Sequence, residues 1–229
     1  MYERAYDGSM DRHAIAQMLD HTLLKPEATP DQVVALCGEA IELGVFAVCV
    51  SPSMVGVAHA ALRDSHVKLA SVVGFPSGAH EGATVATEAA LSLAAGADEI
   101  DMVIDLGRAK AGEWAAVAAG IAEVRAQVRS GRLLKVIIES AVLTDDEIVH
   151  ACQAAMSAHA DFVKTSTGYH PTGGATIEAV RLMRQTVGDA LGVKASGGVR
   201  TIEATLAMIE AGASRIGTSS SAAILAAVL

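Results

Sequence analysis

Short apolar runs alternate with amphipathic stretches along this chain, regularly enough to read as a repeat. Four times a helical pattern ends in small residues and passes straight into a buried-strand pattern: ELGVFAVCV, AAGADEIDMV, SAHADFVKTS and EAGASRIGTS. Gly44, Gly96 and Gly212 stand where a left-handed cap would stop each helix, and His159 takes that place in the third copy. Further strand-like runs are LDHTLL (19–24), KLASVVGF (68–75), LLKVIIES (133–140) and GVKAS (192–196), each bounded by turn residues. Between them lie helix patterns, among them TPDQVVALCGEAIEL, with Thr29 as N-cap and Pro30 at the first helical position. About eight strands alternating with helices predict an α/β chain folded as a single (β/α)8 TIM barrel. No linker or composition shift divides the sequence, so one catalytic domain is expected over 1–229, with a short N-terminal helical extension at about 1–18.

Side chains alternate across a strand, so residues two apart share a face, and in a barrel one face points to the interior. In four runs that parity is polar: Ala47, Cys49, Ser51; Glu99, Asp101, Val103; Lys135, Ile137, Glu139; and Phe162, Lys164, Ser166. Lys194 and Ser196 continue the pattern. A single such lysine is readily explained as a strand-end side chain reaching for solvent. Three lysines and several carboxylates at matching parity point instead to a polar interior, where a desolvated lysine beside another cation loses its proton and becomes a nucleophile. A neighbouring carboxylate would shuttle protons.

Composition narrows the function. A mean hydropathy of +0.39 and 52% hydrophobic residues describe a globular protein with a large core. A net charge of -9 argues against nucleic-acid or membrane-surface partners, which call for a basic face. MYERAYDGSMDRH lacks the basic patch and apolar core of a secretion signal, and no apolar run is long enough to span a bilayer, so a cytoplasmic location is expected. Cys37, Cys49 and Cys152 are odd in number and widely spaced, which suits reduced thiols rather than a disulfide framework or zinc cluster.

An acidic protein can still hold an anion on backbone. Ser166-Thr167-Gly168 with Gly173-Gly174, Ser196-Gly197-Gly198, and Gly217-Thr218-Ser219-Ser220 all follow late strands, at the barrel face where phosphate sites recur. Each loop alone is an ordinary turn; their joint occurrence favours phosphate.

With these residues assembled, the chain resembles the deoxyribose-phosphate aldolase family over nearly its whole length. The resemblance rests on LDHTLLKP, FAVCVSP, VVGFPSG, EIDMVI, LKVIIE, FVKTSTG, VKASGGVRT and RIGTSS, in family order. It implies a metal-free and cofactor-free aldol reaction of deoxyribonucleoside catabolism, joining acetaldehyde and glyceraldehyde 3-phosphate into 2-deoxyribose 5-phosphate. Lys164 matches the family's Schiff-base lysine, and Asp101 and Lys194 match its proton-handling pair. Thr167, Gly168, Gly197, Gly198, Gly217, Ser219 and Ser220 match its phosphate-binding loops, while Asp20, Thr22, Cys49 and Lys135 are expected about the substrate pocket. For Cys49, a plain packing role is an equal reading.

The resemblance also implies small-molecule substrates and a homo-oligomer, a dimer in preference. Where some relatives carry a lysine just after STG, this sequence has Tyr169 and His170, so its phosphate site is expected to lean more on backbone. Some relatives contribute a tyrosine from a mobile tail, and AAILAAVL contains none. Two rivals remain from sequence alone: another lysine-dependent sugar-phosphate aldolase, and a non-catalytic sugar-phosphate-binding barrel.

Overall fold

A computed structural model describes residues 10–129 and 131–228. Its strands are β1 (Leu19–Leu23), β2 (Ala47–Val50), β3 (Lys68–Val73), β4 (Glu99–Val103), β5 (Leu133–Ile137), β6 (Phe162–Lys164), β7 (Gly192–Ser196) and β8 (Arg215–Thr218). They pair in chain order, every pair parallel, and β8 closes on β1, which gives the expected (β/α)8 barrel. The helices are α1 (Arg12–Ala16), α2 (Pro30–Leu43), α3 (Val55–Ala61), α4 (Gly82–Ala94), α5 (Leu106–Lys110), α6 (Trp114–Arg125), α7 (Asp145–Ser157), α8 (Ile177–Val187), α9 (Ile202–Glu210) and α10 (Ser221–Ala226). Of the expected N-terminal extension, α1 is seen, capped by the Asp11 carboxylate and anchored by buried Ile15 and Ala16; residues 1–9 lie outside the described residues.

Local signals account for the helix ends. Thr29 caps α2 in a reciprocal box with Gln32, Pro30 opens the helix, and Gly44 closes it in the left-handed region at φ 65°. Thr144 and Glu147 form the same box on α7. His159 adopts φ 56° at the end of α7. A side chain is held there at a cost of roughly 1–2 kcal/mol, because its Cβ crowds the following carbonyl.

The core lies between barrel and helices. Outward-facing Val48, Val50, Ile100, Met102, Leu134, Val136, Val163, Val193 and Ile216 pack with Val33, Leu36, Ile121, Val124, Ile148, Val180 and Met183 from the surrounding helices. Inside the barrel a small apolar patch forms, from Leu24, Cys49, Ala70 and Val72 with Phe75 beside it. The β6 ladder stops at Lys164, earlier than the apolar run suggests. Beyond it the Thr165 N–H still donates to the Lys194 carbonyl at 3.0 Å, and the Thr165 side chain adds two bonds: its hydroxyl donates to the Ser196 carbonyl and accepts from the Ser196 N–H, both at 3.0 Å. That tie sews the loops after β6 and β7 together.

Candidate active site

Strand register sets out the polar interior. Asp101 on β4 lies opposite Lys135 on β5, Lys164 on β6 opposite Lys194 on β7, and Lys194 in turn opposite Arg215 on β8. All point inward and all are buried, together with Asp20 on β1 and Glu99 on β4. Asp101 sits at the centre. Its carboxylate accepts from Lys135 at 2.7 Å, Lys164 at 2.9 Å and Lys194 at 2.8 Å. Below it, Lys135 reaches Glu99 at 2.6 Å, Lys194 donates to Asp20, and Arg215 bridges Asp20 at 2.9 Å and Glu99 at 3.2 Å.

These contacts set protonation. Burial works against the charge of Asp101, but Lys135, Lys164 and Lys194 outweigh it and hold the carboxyl well below the usual range. Asp20 is likewise held low, where Lys194 and Arg215 overcome burial. Lys194 and Lys135 stay above the ordinary lysine range, since Asp101 with Asp20 or Glu99 overcomes the desolvation of each. Lys164 goes the other way. Burial lowers it, the shared Asp101 charge only partly opposes this, and Lys194 lowers it further. Of the three interior lysines, it is the one whose ammonium is disfavoured.

Lys164 also forms the floor of a cleft of about 250 Å³ at the C-terminal mouth of the barrel. Of the sequence-expected residues, Thr22, Lys164, Thr167, Gly168, Gly197, Gly198, Gly217 and Ser219 line this cleft. Asp20, Asp101, Lys135 and Lys194 lie buried, tied into the ion-pair cluster with Lys164. Cys49 is buried in the apolar patch, its thiol pushed up to about 11 by burial and then by Asp101. Ser220 lies outside the cleft lining and donates its N–H to the Thr218 hydroxyl.

Loop geometry explains several choices of residue. Thr167 does more than face the cleft: its hydroxyl donates to buried Glu139 at 2.5 Å and accepts from Tyr169 N–H, and its own N–H donates to the same Glu139 carboxylate. At Gly217, a Cβ would stand 3.0 Å from both Lys194 Cε and Ser196 Cβ, so glycine there makes room for the lysine quite apart from any ligand. Two larger clefts, against α4, contain none of the interior lysines. Among the described residues no group of three or more His, Cys, Asp or Glu side chains is arranged to hold a metal.

Sequence reasoning passed over Arg215, Lys25 and Arg200. Arg215 was read only as part of RIGTSS, although it shares parity with Gly217 in β8. Lys25 and Arg200 line the cleft mouth with Tyr169, whose ring meets Phe75 edge-on at 5.3 Å. Nothing in their spacing singles them out, because both lie in loops.

A closed parallel barrel whose C-terminal mouth opens onto a lysine of lowered basicity, backed by a buried carboxylate–amine cluster, is the arrangement of a barrel enzyme. Comparison with known proteins narrows this. The DeoC/LacD family aldolase model matches residues 14–227, and the chain belongs to that family. The deoxyribose-phosphate aldolase of Kocuria rhizophila is 60% identical over 214 residues, covering 93% of this chain and 96% of its own. That of Nocardia farcinica is 55% identical over 214 residues, covering 93% and 94%. Among solved structures, the tetrameric deoxyribose phosphate aldolase from Aeropyrum pernix superposes with a TM-score of 0.88 at 33% identity, over 96% of this chain and 92% of that one.

Proposed function

We propose that the chain reversibly cleaves 2-deoxy-D-ribose 5-phosphate to D-glyceraldehyde 3-phosphate and acetaldehyde through a Schiff base on Lys164. The observation that carries the reading is the position of Lys164: a buried amine with a disfavoured proton, in contact with Asp101 and facing a glycine-lined cleft. The identity to the two aldolases above supports the choice of substrate.

In the cleavage direction the neutral Lys164 amine adds to the C1 aldehyde of the open-chain sugar, and the carbinolamine loses water to give an iminium. The Asp101–Lys194 pair, acting through a water, takes the proton of the C3 hydroxyl. The C2–C3 electron pair then moves into the iminium, leaving an enamine on Lys164 and releasing C3 as the aldehyde of glyceraldehyde 3-phosphate. Return of a proton to C2 of the enamine regenerates an iminium, and water hydrolyses it to acetaldehyde and free amine. The backbone of Gly168, Gly197 and Gly198, with Ser219 and Ser220 nearby, would hold the phosphate, and Thr22 and Thr167 the sugar chain.

We further read the chain as one catalytic domain acting in the cytoplasm as a homo-oligomer, a dimer in preference. No helix of the described residues is long and apolar enough to cross a membrane. Val34 and Ile41 on α2 and Leu91 on α4 are exposed apolar side chains that would suit an interface. Sedimentation velocity reads the oligomer directly.

The deciding experiment is to incubate the protein with acetaldehyde, then with 2-deoxyribose 5-phosphate, reduce with borohydride, and map adducts by peptide mass spectrometry beside Lys164→Ala. A two-carbon adduct on Lys164, absent in the variant, is the expected result. An unmodified Lys164 and no release of glyceraldehyde 3-phosphate would favour a binding barrel, while adducts only from larger keto-sugars would favour a different aldolase.

A further inference from the structure

Four cations and three carboxylates are sealed in the barrel: Lys135, Lys164, Lys194 and Arg215 against Asp20, Glu99 and Asp101. With every group ionised, this interior carries one positive charge too many, where an uncompensated charge is costly. The cations differ in how many carboxylates each one contacts. Lys135 has Glu99 and Asp101, and Lys194 has Asp20 and Asp101. Arg215, which does not deprotonate, has Asp20 and Glu99. Among the described residues Lys164 meets Asp101 alone, and shares it with two other ammonium groups.

Resting on the reading of Lys164 as the Schiff-base amine, we propose that Arg215 and Glu99 are positioning residues that set the protonation of Lys164 from beneath, through the shared carboxylates Asp20 and Asp101. Arg215 occupies carboxylate capacity that would otherwise go to the lysines, and so makes Lys164 the surplus cation. Its own place is fixed: the guanidinium lies 3.7 Å over the Phe46 ring and 5.4 Å from that of Phe162. Glu99 opposes it, holding both Arg215 and Lys135.

The charged and titratable groups facing Lys164 come from the barrel floor, and from Lys25, Tyr169 and Arg200, which line the exposed mouth of its cleft. Asp20 comes from β1, Glu99 and Asp101 from β4, Lys135 from β5, Lys194 from β7 and Arg215 from β8. Cys49 on β2 is a neutral thiol, and β3 adds apolar Ala70 and Val72. Glu139, beyond β5, is engaged by the N–H and hydroxyl of Thr167.

Opposite changes in charge should therefore move Lys164 in opposite directions. The test measures acetylation of Lys164 by acetic anhydride against pH, mapped by peptide mass spectrometry, which reads the amine without requiring catalysis. Acetaldehyde–borohydride trapping and thermal unfolding are recorded in parallel. Arg215→Met should raise the labelling midpoint by about one pH unit, because one cation fewer leaves a carboxylate for Lys164. Glu99→Gln should lower it by a similar amount, and Arg215→Met/Glu99→Gln should return it to near the wild-type value. A merely structural role would give no sign reversal and no cancellation. Unshifted midpoints, or shifts of one sign in both single variants, would overturn the proposal. Glu99→Gln, which keeps its shape, carries the test if Arg215→Met does not fold. Trapping on Lys164 without midpoint shifts removes this inference alone; shifts without trapping in the wild type remove the Schiff-base reading and leave the charge relation standing.

Discussion

Gly174→Ala isolates the contribution of the rim of the cleft from that of the charged floor. Gly174 has no positive φ, so alanine fits its backbone, and the perturbation is confined to one contact. A Cβ built there would lie 2.5 Å from the carbonyl carbon of Gly197 and 2.9 Å from its Cα. Carbon atoms normally keep about 3.5–4.0 Å, and both partners are backbone, so the loops after β6 and β7 must part by about 1 Å. The N–H of Ala175 donates to the Gly197 carbonyl at 3.0 Å and to that of Ser196 at 3.1 Å, and the same displacement strains both bonds. Misplacement on this scale costs on the order of 100-fold in catalytic efficiency when it moves a group that positions substrate.

The loss should depend on phosphate. Steady-state kinetics of Gly174→Ala on 2-deoxyribose 5-phosphate should show most of it in KM, while turnover of unphosphorylated 2-deoxyribose and borohydride trapping of acetaldehyde on Lys164 stay close to wild type. Gly120→Ala is the control. That glycine lies within α6 with nothing inside 4 Å of its Cβ position, so alanine should leave kinetics alone and stabilise by about 0.5–1 kcal/mol. An unchanged KM for the phosphorylated sugar in folded Gly174→Ala, or an equal loss on both sugars, would refute a phosphate site at this rim.

Asp101→Asn should separate covalent capture from proton transfer: Lys164 still traps acetaldehyde on reduction, whereas turnover of the sugar phosphate falls by roughly 100- to 10,000-fold. Lys164→Met should abolish trapping yet raise stability at neutral pH by about 1 kcal/mol, or roughly 2–4 °C in a chain of this size. The sign follows from linkage: with its folded pKa lowered, Lys164 takes up a proton more readily unfolded, so its penalty on folding grows as pH falls below the free-lysine range, and removing the amine removes it. Urea denaturation at two pH values would expose an error in that sign. All three thiols are buried and raised, Cys37 and Cys49 to about 11 and Cys152 to about 12, so Ellman's reagent at pH 8 should find none in the native protein and three in guanidinium.

The strands were legible because each short apolar run is bracketed by turn residues, and the parity of charged positions within them showed that the interior was polar. Thr29, Pro30 and Gly44 marked the ends of α2 for equally local reasons. What parity could not tell was depth. Asp20 shares a strand with Thr22, yet it is buried and clamps Lys194 and Arg215, while Thr22 reaches the cleft; the difference is the height along β1 at which the barrel opens. Arg215 escaped notice because it opens a strand whose other residues read as a phosphate motif, and its partners Asp20 and Glu99 are 195 and 116 residues away in the chain. The shortness of β6 was hidden too, since its apolar run gives no hint that, once the Thr165 N–H has bonded to Lys194, the Ser196 N–H would turn to the Thr165 hydroxyl.

The site therefore has two layers with different physics. The lower layer is buried, and its chemistry is charge counting: each carboxylate is shared, and moving one proton changes the balance for every neighbour. The upper layer is more exposed and built from backbone, where Gly174 and Gly197 let the loops after β6 and β7 approach more closely than side chains would permit. An anion taken up at the upper layer would meet backbone N–H groups rather than fixed cations. Lys25 and Arg200 stand at the mouth, among exposed residues, where their fields are screened by water before they reach the floor. A rim change at Gly174 should combine close to additively in kcat/KM with a floor change at Arg215 or Glu99, since the contacts it disturbs are with the backbone of Gly197 and not with the floor.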